Sequence, residues 1–342
     1  MRLSYFEKFE KRGCVRHNST NHPTVDIIIP VYNEQQAIIS FYNKLDQVIA
    51  DLPFLFSLIY IDDGSDDETL GQLQGIATQD QRITIIELSR NYGHQAAITA
   101  GLDISDADFV LTMDGDGEHP PALIPEMLEL AQNGYDMVLT QRLEQDSLPL
   151  FKRLTSHFFY KLINRIGNTH IQPGGADFRL LKRNVVDALK EMPEYHRFIR
   201  GMVAWLGFRK VILPFKPTQR LGGSSKYSLK KMLRLSMDAI FSFSLVPLYI
   251  SISMGVLFLV LALAEAIYVL SFWITGNTSS LAPGWSSLMF VLLVVGGAVM
   301  LSLGFIGIYI GYIFQEVKGR PTYIIRHIWK NDTSSEESDS VS

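Results

Sequence analysis

Two aspartates near the middle of the chain, Asp114 and Asp116, have the types and spacing that most directly suggest chemistry. They follow the mostly apolar run 109–113 and alternate with Gly115 and Gly117, which let the backbone approach a ligand closely. Two carboxylates at this spacing can share a hard divalent cation, and such a cation would neutralise a diphosphate. A lone Asp-x-Asp is more often an acidic β-turn, so the interpretation depends on the elements around it.

The pattern of an apolar strand that ends in acidic residues occurs twice more. Residues 25–30 form an apolar run that stops at a proline and precedes Glu34, and residues 56–62 end in Asp62 and Asp63. The carboxyl ends of parallel strands meet at one edge of a sheet, and ligands bind there. Each acidic end alone also fits a turn or a helix cap. Together, the three ends favour one crevice that contains all of these carboxylates.

Strands and helices alternate through the first half of the chain. Two more strands are predicted at residues 83–88 and 136–141, and amphipathic segments lie between the strands. Connections of only a few residues join these segments. This alternation predicts an α/β, Rossmann-like sheet with helices on both faces.

Composition excludes some classes of protein. The formal net charge is -4, and no basic stripe interleaved with aromatic residues lies on the first half, so nucleic-acid binding is not expected. The single cysteine, Cys14, excludes an internal disulfide and fits a reducing compartment. Residues 1–24 have no apolar core of a secretory signal peptide and are interpreted as an N-terminal arm.

The second half has the composition of a membrane segment. Residues 245–314 contain one acidic or basic residue, Glu265, and their two apolar stretches, 245–272 and 288–314, each exceed the roughly 20 residues that a bilayer core requires. Lysine and arginine flank these stretches but are missing between them. The positive-inside rule therefore predicts a two-helix transmembrane hairpin with both ends in the cytosol. Residues 228–244 are predicted to form an amphipathic helix in the headgroup layer.

The spacing of small residues and the last part of the chain add two expectations. The second apolar stretch contains glycines at 296, 297, 304, 307 and 311, and the last three are three and four residues apart, which permits close helix packing and predicts a homo-oligomer. Residues 315–342 are interpreted as a cytosolic C-terminal tail, disordered from residue 331 onward because that part is rich in serine and acidic residues.

Charged residues between the predicted sheet and the membrane segment could form the other half of a site. Asp177 and Arg179 alternate, so they lie on the same side of a strand and could form a local ion pair. Arg197 and Arg200 lie one turn apart on a predicted helix and could face the same anion. Residues 151–166 are predicted to form a basic, aromatic helix that is either a solvated face or a binding surface for lipid phosphate.

Four motifs occur in a fixed order along the chain: Pro-Val-Tyr-Asn-Glu at 30–34, Asp-Asp-Gly-Ser at 62–65, Asp-Gly-Asp at 114–116 and His-Pro at 119–120. In this order they resemble the nucleotide-sugar domain of the family 2 inverting glycosyltransferases, which has the GT-A fold. The resemblance covers residues 25–227.

The resemblance implies roles for individual residues. It implies a Mg²⁺ or Mn²⁺ site at Asp114, Asp116 and Glu118, although dolichol-phosphate mannose synthases carry glutamine where Glu118 stands. The glycine-rich segment 220–227 matches a family segment that looks like a lid over the donor diphosphate; alone, it would be a flexible linker. The donor-binding residues implied are Pro30, Tyr32, Glu34, Asp62, Asp63, Asp114, Arg220, Ser225 and Lys226.

The block at 88–101 and the two-helix membrane segment are similar to the polyprenyl-phosphate glycosyltransferases. The similarity implies inverting transfer of a hexose, in the first place glucose from UDP-glucose, to undecaprenyl phosphate on the cytosolic face of the inner membrane. Asp116 and Asp177 are the catalytic candidates, and Asp177 either acts as a base or positions the acceptor. The residues predicted to bind the acceptor phosphate are Arg142, Arg197 and Arg200.

Two alternatives compete with this prediction. A processive polysaccharide synthase would show Gln-x-x-Arg-Trp and more membrane spans, and the sequence has neither. A non-catalytic nucleotide-sugar sensor or scaffold would not need the full set of metal and phosphate residues. A transfer assay separates the sensor from the enzyme.

Overall fold

The structure is a computed structural model that describes residues 22–143, 174–195, 197–218, 246–274 and 284–330. Several predictions lie outside these residues. They concern the arm up to residue 21, the basic helix 151–166, the segment 220–227, the amphipathic helix 228–244 and the tail from residue 331.

The first part of the chain alternates strands and helices as predicted. The elements are β1 (Thr24–Val31), α1 (Ile38–Ile49), β2 (Leu55–Asp62), α2 (Thr69–Ala77), β3 (Ile83–Leu88), α3 (His94–Ile104), β4 (Phe109–Thr112), a 3₁₀ turn (Pro121–Leu123), α4 (Ile124–Gln132) and β5 (Met137–Arg142). After residue 173 follow β6 (Gly175–Lys182), α5 (Arg183–Lys190), α6 (Ile199–Trp205), β7 (Lys210–Phe215), α7 (Val246–Ile274), α8 (Trp285–Lys318) and β8 (Ile325–Lys330).

The strands form one mixed sheet in the order β7-β5-β6-β4-β1-β2-β3-β8. Strand β1 pairs in parallel with β2 and β4, and β2 pairs in parallel with β3. Strand β6 is antiparallel to both of its neighbours, β4 and β5. The α/β class predicted from the sequence is confirmed, and β6 makes the sheet mixed.

Alternation of side chains along β1 explains why helices cover both faces. Ile27 and Ile29 point to one face, where they pack in a core with α1, α2 and α4. Ile28 points to the other face and packs with α3, α5 and α6. A strand buried on both sides must be largely apolar, and Val25 and residues 27–31 of β1 are apolar.

Strand β1 does not end at Pro30, as the sequence predicted, but continues to Val31. Pro30 is buried and pairs with Ile61 of β2. The pairing of β1 with β4 ends at Ile28, so the strand has a neighbour on one side only at this point. A residue without an N–H is tolerated there because fewer ladder hydrogen bonds are needed.

The last strand of the sheet follows the two long helices. Strand β8 pairs antiparallel with β3. Two further contacts join the same segments: Arg326 Nη1 lies 2.7 Å from Glu87 Oε1, and the Ser89 amide donates a hydrogen bond to the Ile324 carbonyl at 2.8 Å. Residues 325–330, placed in the tail by the sequence analysis, therefore complete the edge of the sheet.

Helices α7 and α8 pack against each other and expose large apolar side chains, such as Leu259 (71% exposed) and Met300 (69% exposed). By length and composition, one helical segment in the described part of the chain could cross a membrane, Val294–Lys318 of α8. A shorter apolar stretch, Ser251–Leu261, lies in α7. The transmembrane hairpin itself stays a prediction.

Candidate active site

The carboxyl ends of β1, β2 and β4 meet at one edge of the sheet, and Val31 is their common neighbour. Val31 pairs with Asp62, and its carbonyl accepts a hydrogen bond from the Asp63 amide at 3.0 Å. Gly115 lies so close that a Cβ added there would be 2.9 Å from Val31 Cγ1. The loops that carry Asp62, Asp63 and Asp114 therefore begin side by side.

Asp62, the last residue of β2, and Asp63, which follows it, are buried, and each is held by hydrogen bonds within the site. Asp62 Oδ1 accepts from the Ser65 hydroxyl at 2.5 Å, and Asp63 accepts from the Tyr92 amide at 2.7 Å and the Gly93 amide at 2.9 Å. Burial raises the pKa of both carboxyls, and these hydrogen bonds counteract part of that increase. Asp63 thus fastens the loop before α3 to the end of β2.

Gly64, the next residue, is required for this close approach. Its φ is +68°, a conformation that other L residues rarely adopt, and an added Cβ would lie 2.7 Å from the Arg90 carbonyl carbon. The loops that contain Asp63 and Arg90 can touch only because residue 64 has no side chain.

The residues predicted at the end of β1 lie in the same loop region. Tyr32 and Glu34 follow the strand, and the Glu34 amide donates to the Thr69 hydroxyl at 2.9 Å. Asn33 has a positive φ of 53°, and its side-chain oxygen accepts from the Asp66 amide at 2.9 Å. The loops after β1 and β2 are therefore joined directly.

A buried histidine organises the Asp114–Asp116 loop. His119 Nδ1 accepts a hydrogen bond from the Asp114 amide at 3.0 Å, and its ring stacks on Phe178 with 5.2 Å between ring centroids. Burial lowers the pKa of His119, which keeps Nδ1 available as an acceptor. Asp116 is buried as well, and its Oδ1 accepts from the Glu118 amide at 2.9 Å.

The third predicted metal ligand, Glu118, is engaged by an arginine. Its Oε2 lies 2.9 Å from Arg142 Nη1, so Arg142 and Glu118 form an ion pair. The described residues contain no group of three or more His, Cys, Asp or Glu side chains placed to hold a metal ion. Asp114 Oδ1, in contrast, is buried and accepts no hydrogen bond from any described residue.

Asp177, on β6, is the most strongly paired carboxylate in the site. It forms ion pairs with Arg179 and with Arg200, whose Nε and Nη2 lie 3.0 and 2.7 Å from Oδ1 and Oδ2. Burial would raise the pKa of Asp177, but Arg200 and Arg179 hold it well below its usual range. The local ion pair with Arg179 is therefore present, and Arg200 adds a second cation.

His94 connects the two acidic groups. Its Nε2 lies 3.4 Å from Asp114 Oδ1 and 3.4 Å from Asp177 Oδ2. Removal from bulk water would lower the pKa of His94, but the two carboxylates outweigh it and raise the pKa to about 9. The carboxylates of Asp114 and Asp177 thus both lie within 3.4 Å of the same nitrogen of the His94 imidazole, which is 39% exposed.

Arg197 and Arg200 do not face the same anion, contrary to the prediction. The helix begins at Ile199, so Arg197 precedes it; Arg197 Nη2 donates to the Met192 carbonyl at 3.0 Å and Nη1 lies 3.9 Å from Asp103. Of these two arginines, Arg200 is the one that pairs with Asp177. The predicted donor residues Arg220, Ser225 and Lys226 lie outside the described residues.

Comparison with known proteins identifies the family. Residues 26–190 match the family model described as glycosyl transferase family 2. An uncharacterized glycosyltransferase of Synechocystis sp. is 37% identical over 305 residues, which are 89% of this chain and 95% of that protein. The chain belongs to glycosyl transferase family 2. Its mixed α/β sheet is of the GT-A type predicted for this family.

Other relatives match the chain over similar lengths. A prophage bactoprenol glucosyl transferase homolog of Escherichia coli is 33% identical and covers 90% of this chain and 99% of its own. The bactoprenol glucosyl transferase of Shigella phage SfII is 33% identical over 88% of this chain and 97% of that protein. These matches extend well beyond residues 26–190.

Solved structures match more distantly. Mannosyl-3-phosphoglycerate synthase from Rubrobacter xylanophilus has a TM-score of 0.44 and 18% identity over 64% of this chain and 72% of that chain. Glucosyl-3-phosphoglycerate synthase from Mycobacterium tuberculosis, in complex with Mn²⁺, UDP-glucose and phosphoglyceric acid, has a TM-score of 0.42 and 16% identity over 64% and 78%. At these TM-scores the similarity carries no conclusion about ligands.

The contacts of His94 and His119 were not predicted from the sequence, although both histidines stand in the motifs at 88–101 and 119–120. A signal was present for His94, since it follows a glycine at the start of a predicted helix and so lies at the same sheet edge as the aspartates.

Proposed function

We propose that the protein transfers a hexosyl group, from UDP-glucose, to undecaprenyl phosphate with inversion at the anomeric carbon. The observation that carries the proposal is the His94 contact, because it brings an aspartate suited to a cation close to an arginine–aspartate pair suited to a phosphate. Relatives named bactoprenol glucosyl transferase, at 33% identity over nearly their whole length, support the lipid acceptor.

We assign the nucleotide sugar to the edge formed by β1, β2 and β4. Backbone groups of the closely packed loops and the buried carboxylates there can meet a ribose and a base through hydrogen bonds. The donor residues proposed are Pro30, Tyr32, Glu34, Asp62, Asp63, Asp114, Arg220, Ser225 and Lys226.

The carboxylates after β4 fit a divalent cation, Mg²⁺ or Mn²⁺. Asp114 Oδ1 is buried, forms no hydrogen bond with a described residue and lies 3.4 Å from His94 Nε2, and Asp116 is a second buried carboxylate two residues away. Hard oxygen donors of this type suit both ions, and few protein ligands are needed where a diphosphate supplies others. When bound, the cation would neutralise charge on the departing diphosphate. Glu118 is a third ligand only where its pair with Arg142 opens.

We assign the acceptor phosphate to the Arg200 side of the site. A phosphate monoester has a second pKa of about 6, so at neutral pH it is already a nucleophilic anion. One of its oxygens attacks the anomeric carbon while the bond from that carbon to the diphosphate oxygen breaks. Alignment by arginines therefore matters more than removal of a proton. Arg200 is the principal phosphate ligand, and Arg142 is proposed to contribute.

The long helices would anchor the enzyme in the inner membrane as a hairpin, with the catalytic domain on the cytosolic face. Their exposed apolar side chains, Leu259 and Met300 among them, support a lipid environment. The sheet precedes α7, and β8 returns to the same sheet after α8, which favours an even number of crossings. Glycine-mediated packing of these helices would form the homo-oligomer.

Transfer of radiolabelled sugar by the purified protein tests the proposal. Undecaprenyl phosphate and Mg²⁺ or Mn²⁺ are mixed with each of a panel of UDP- and GDP-hexoses, and label is counted in butanol-extractable lipid. We expect label from UDP-glucose, and none with the Asp116→Asn variant. No labelled lipid from any donor contradicts the function, and label from GDP-hexoses alone contradicts the donor.

A further inference from the structure

The first two residues of α3, His94 and Gln95, contact different parts of the acceptor side of the site. His94 Nε2 lies 3.4 Å from Asp177 Oδ2. Gln95 Oε1 accepts a hydrogen bond from the Ile199 amide at 3.1 Å, at the first residue of α6. Arg200 follows Ile199 directly. One turn of α3 therefore touches both members of the Asp177–Arg200 pair, the carboxylate directly and the arginine through its backbone.

The start of α3 is itself fixed from the donor side. The Asp63 carboxylate accepts hydrogen bonds from the two amides that precede His94, those of Tyr92 and Gly93, at 2.7 and 2.9 Å. Asp63 in turn is joined to β1, because its amide donates to the Val31 carbonyl at 3.0 Å. A continuous series of contacts thus runs from the end of β1 through Asp63 and Gln95 to the start of α6.

The bond from Gln95 matters because the contact between Arg200 and Asp177 depends on geometry. Its guanidinium pairs with Asp177 through two hydrogen bonds, and such a bidentate pair is strong only when the arginine approaches the carboxylate in the correct plane. That approach depends on where α6 begins. Gln95 is half-buried and supplies the hydrogen bond from another element that fixes the first amide of α6.

We propose that Gln95 is a positioning residue for the acceptor phosphate, because it holds the start of α6 so that Arg200 is aligned with Asp177. The proposal rests on the proposed function, since it takes the phosphate of a polyprenyl phosphate as the ligand of Arg200. Gln95 acts through Arg200 and does not itself touch the substrate.

Two variants of residue 95 test the proposal. Gln95→Leu keeps the approximate size and removes the acceptor oxygen, whereas Gln95→Glu keeps an oxygen that can accept from the Ile199 amide. Gln79→Leu, at an exposed glutamine after α2, is the matched control. Farnesyl phosphate binding, UDP-glucose binding and thermal unfolding are measured for each purified variant, together with the transfer kinetics.

We expect Gln95→Leu to weaken farnesyl phosphate binding and to raise the KM for undecaprenyl phosphate about tenfold, the effect of losing one hydrogen bond beside a charged pair. The affinity of this variant for UDP-glucose should stay within about twofold of the parent value. Its unfolding temperature should stay within about two degrees, because the side chain is only half-buried. Gln95→Glu should restore phosphate binding, and Gln79→Leu should change nothing.

The binding arm separates this inference from the proposed function. A parent protein that transfers no sugar but binds farnesyl phosphate, with binding weakened by Gln95→Leu, contradicts the function and supports the positioning role. Unchanged phosphate binding in Gln95→Leu, equal loss of UDP-glucose affinity, or a parent protein that binds no farnesyl phosphate each overturns the inference.

Discussion

Arg200 and Asp177 form a bidentate ion pair in which Nε lies 3.0 Å from Oδ1 and Nη2 lies 2.7 Å from Oδ2. Arg179 pairs with the same carboxylate from within the sheet. These two cations hold the pKa of Asp177 well below its usual range, although burial opposes them. A carboxylate with so little affinity for a proton is a weak base, so its pairing favours a role in holding Arg200.

Replacement of Asp177 by asparagine tests this role. We expect Asp177→Asn to lower kcat/KM for the acceptor by roughly 100-fold, because two arginines lose the charge that balances and orients them. The remaining activity should still rise with pH through about 6, since the acceptor phosphate becomes a dianion above its second pKa. The measurement is the pH dependence of transfer for the parent and the variant. Loss of this rise only in the variant would show that Asp177 is the titrating base.

The assignment of the cation predicts unequal effects at two neighbouring carboxylates. We expect Asp116→Asn to reduce transfer by more than about 100-fold and to weaken Mn²⁺ binding in the presence of UDP. Glu118→Gln should keep activity within about tenfold, because that carboxylate already pairs with Arg142 at 2.9 Å. Electron paramagnetic resonance of free Mn²⁺ measures the binding independently of turnover. Equal losses of Mn²⁺ affinity in both variants would contradict this prediction and would mean that Glu118 binds the cation as strongly as Asp116 does.

The contact between the loops after β2 and β3 predicts that residue 64 must be glycine. Gly64→Ala should destabilise the protein by about 2 to 4 kcal/mol, because the residue has a positive φ and the methyl group would meet the Arg90 backbone. Gly75→Ala is the matched control: Gly75 lies in α2 with no atom within 4 Å of an added Cβ. Alanine there should stabilise the helix by about 0.5 to 1 kcal/mol. Thermal unfolding of the two variants should therefore change in opposite directions.

A carboxylate far from the site predicts a dependence of stability on pH. Asp80 accepts hydrogen bonds from Arg82 and from the Tyr42 hydroxyl, the latter at 2.9 Å. Burial raises the pKa of Asp80, but the hydrogen bonds from Arg82 outweigh it and lower the pKa from 3.8. A carboxyl whose pKa is lower in the folded state stabilises the fold above its unfolded pKa. This contribution is lost as the pH falls through the folded value.

Asp80→Asn should therefore cost about 1 kcal/mol at pH 7, a modest value because the Arg82 side chain is 36% exposed. The difference between parent and variant should decrease as the pH falls below 3.8 toward the lower pKa of the folded state. Unfolding curves of both proteins between pH 7 and pH 3 measure it. A difference that persists at the acid end would mean that Asp80 stabilises the fold by packing and not by charge.

The sequence predicted the parts of the site that are local in the chain. Asp62 and Asp114 stand directly after apolar runs, and such runs mark the ends of buried strands whatever their neighbours are. It could not predict that β6 lies between β4 and β5, or that His94 lies between Asp114 and Asp177. Asp114 is 20 positions and Asp177 is 83 positions from His94 along the chain, and no local sequence pattern predicts contacts over such separations.

The two arginines and the last strand show the same limit. Arg197 and Arg200 would lie on one face if both were in the helix. The helix begins at Ile199, however, so Arg197 precedes it and contacts the Met192 carbonyl and Asp103 instead. Strand β8 is six residues long and pairs with a strand more than 200 residues earlier. A strand of this length beside long apolar helices has too weak a pattern to be recognised alone.

Strand β8 also sets the order in which the protein can mature. The ribosome makes β3 long before α7 and α8, and it makes the edge partner of β3 only after both helices. Until then β3 presents unpaired amide and carbonyl groups, which can associate with other chains. The sheet can therefore be completed only after the apolar helices have been synthesised. A chain whose synthesis stops within these helices exposes β3 as an unpaired edge strand that can associate with other chains.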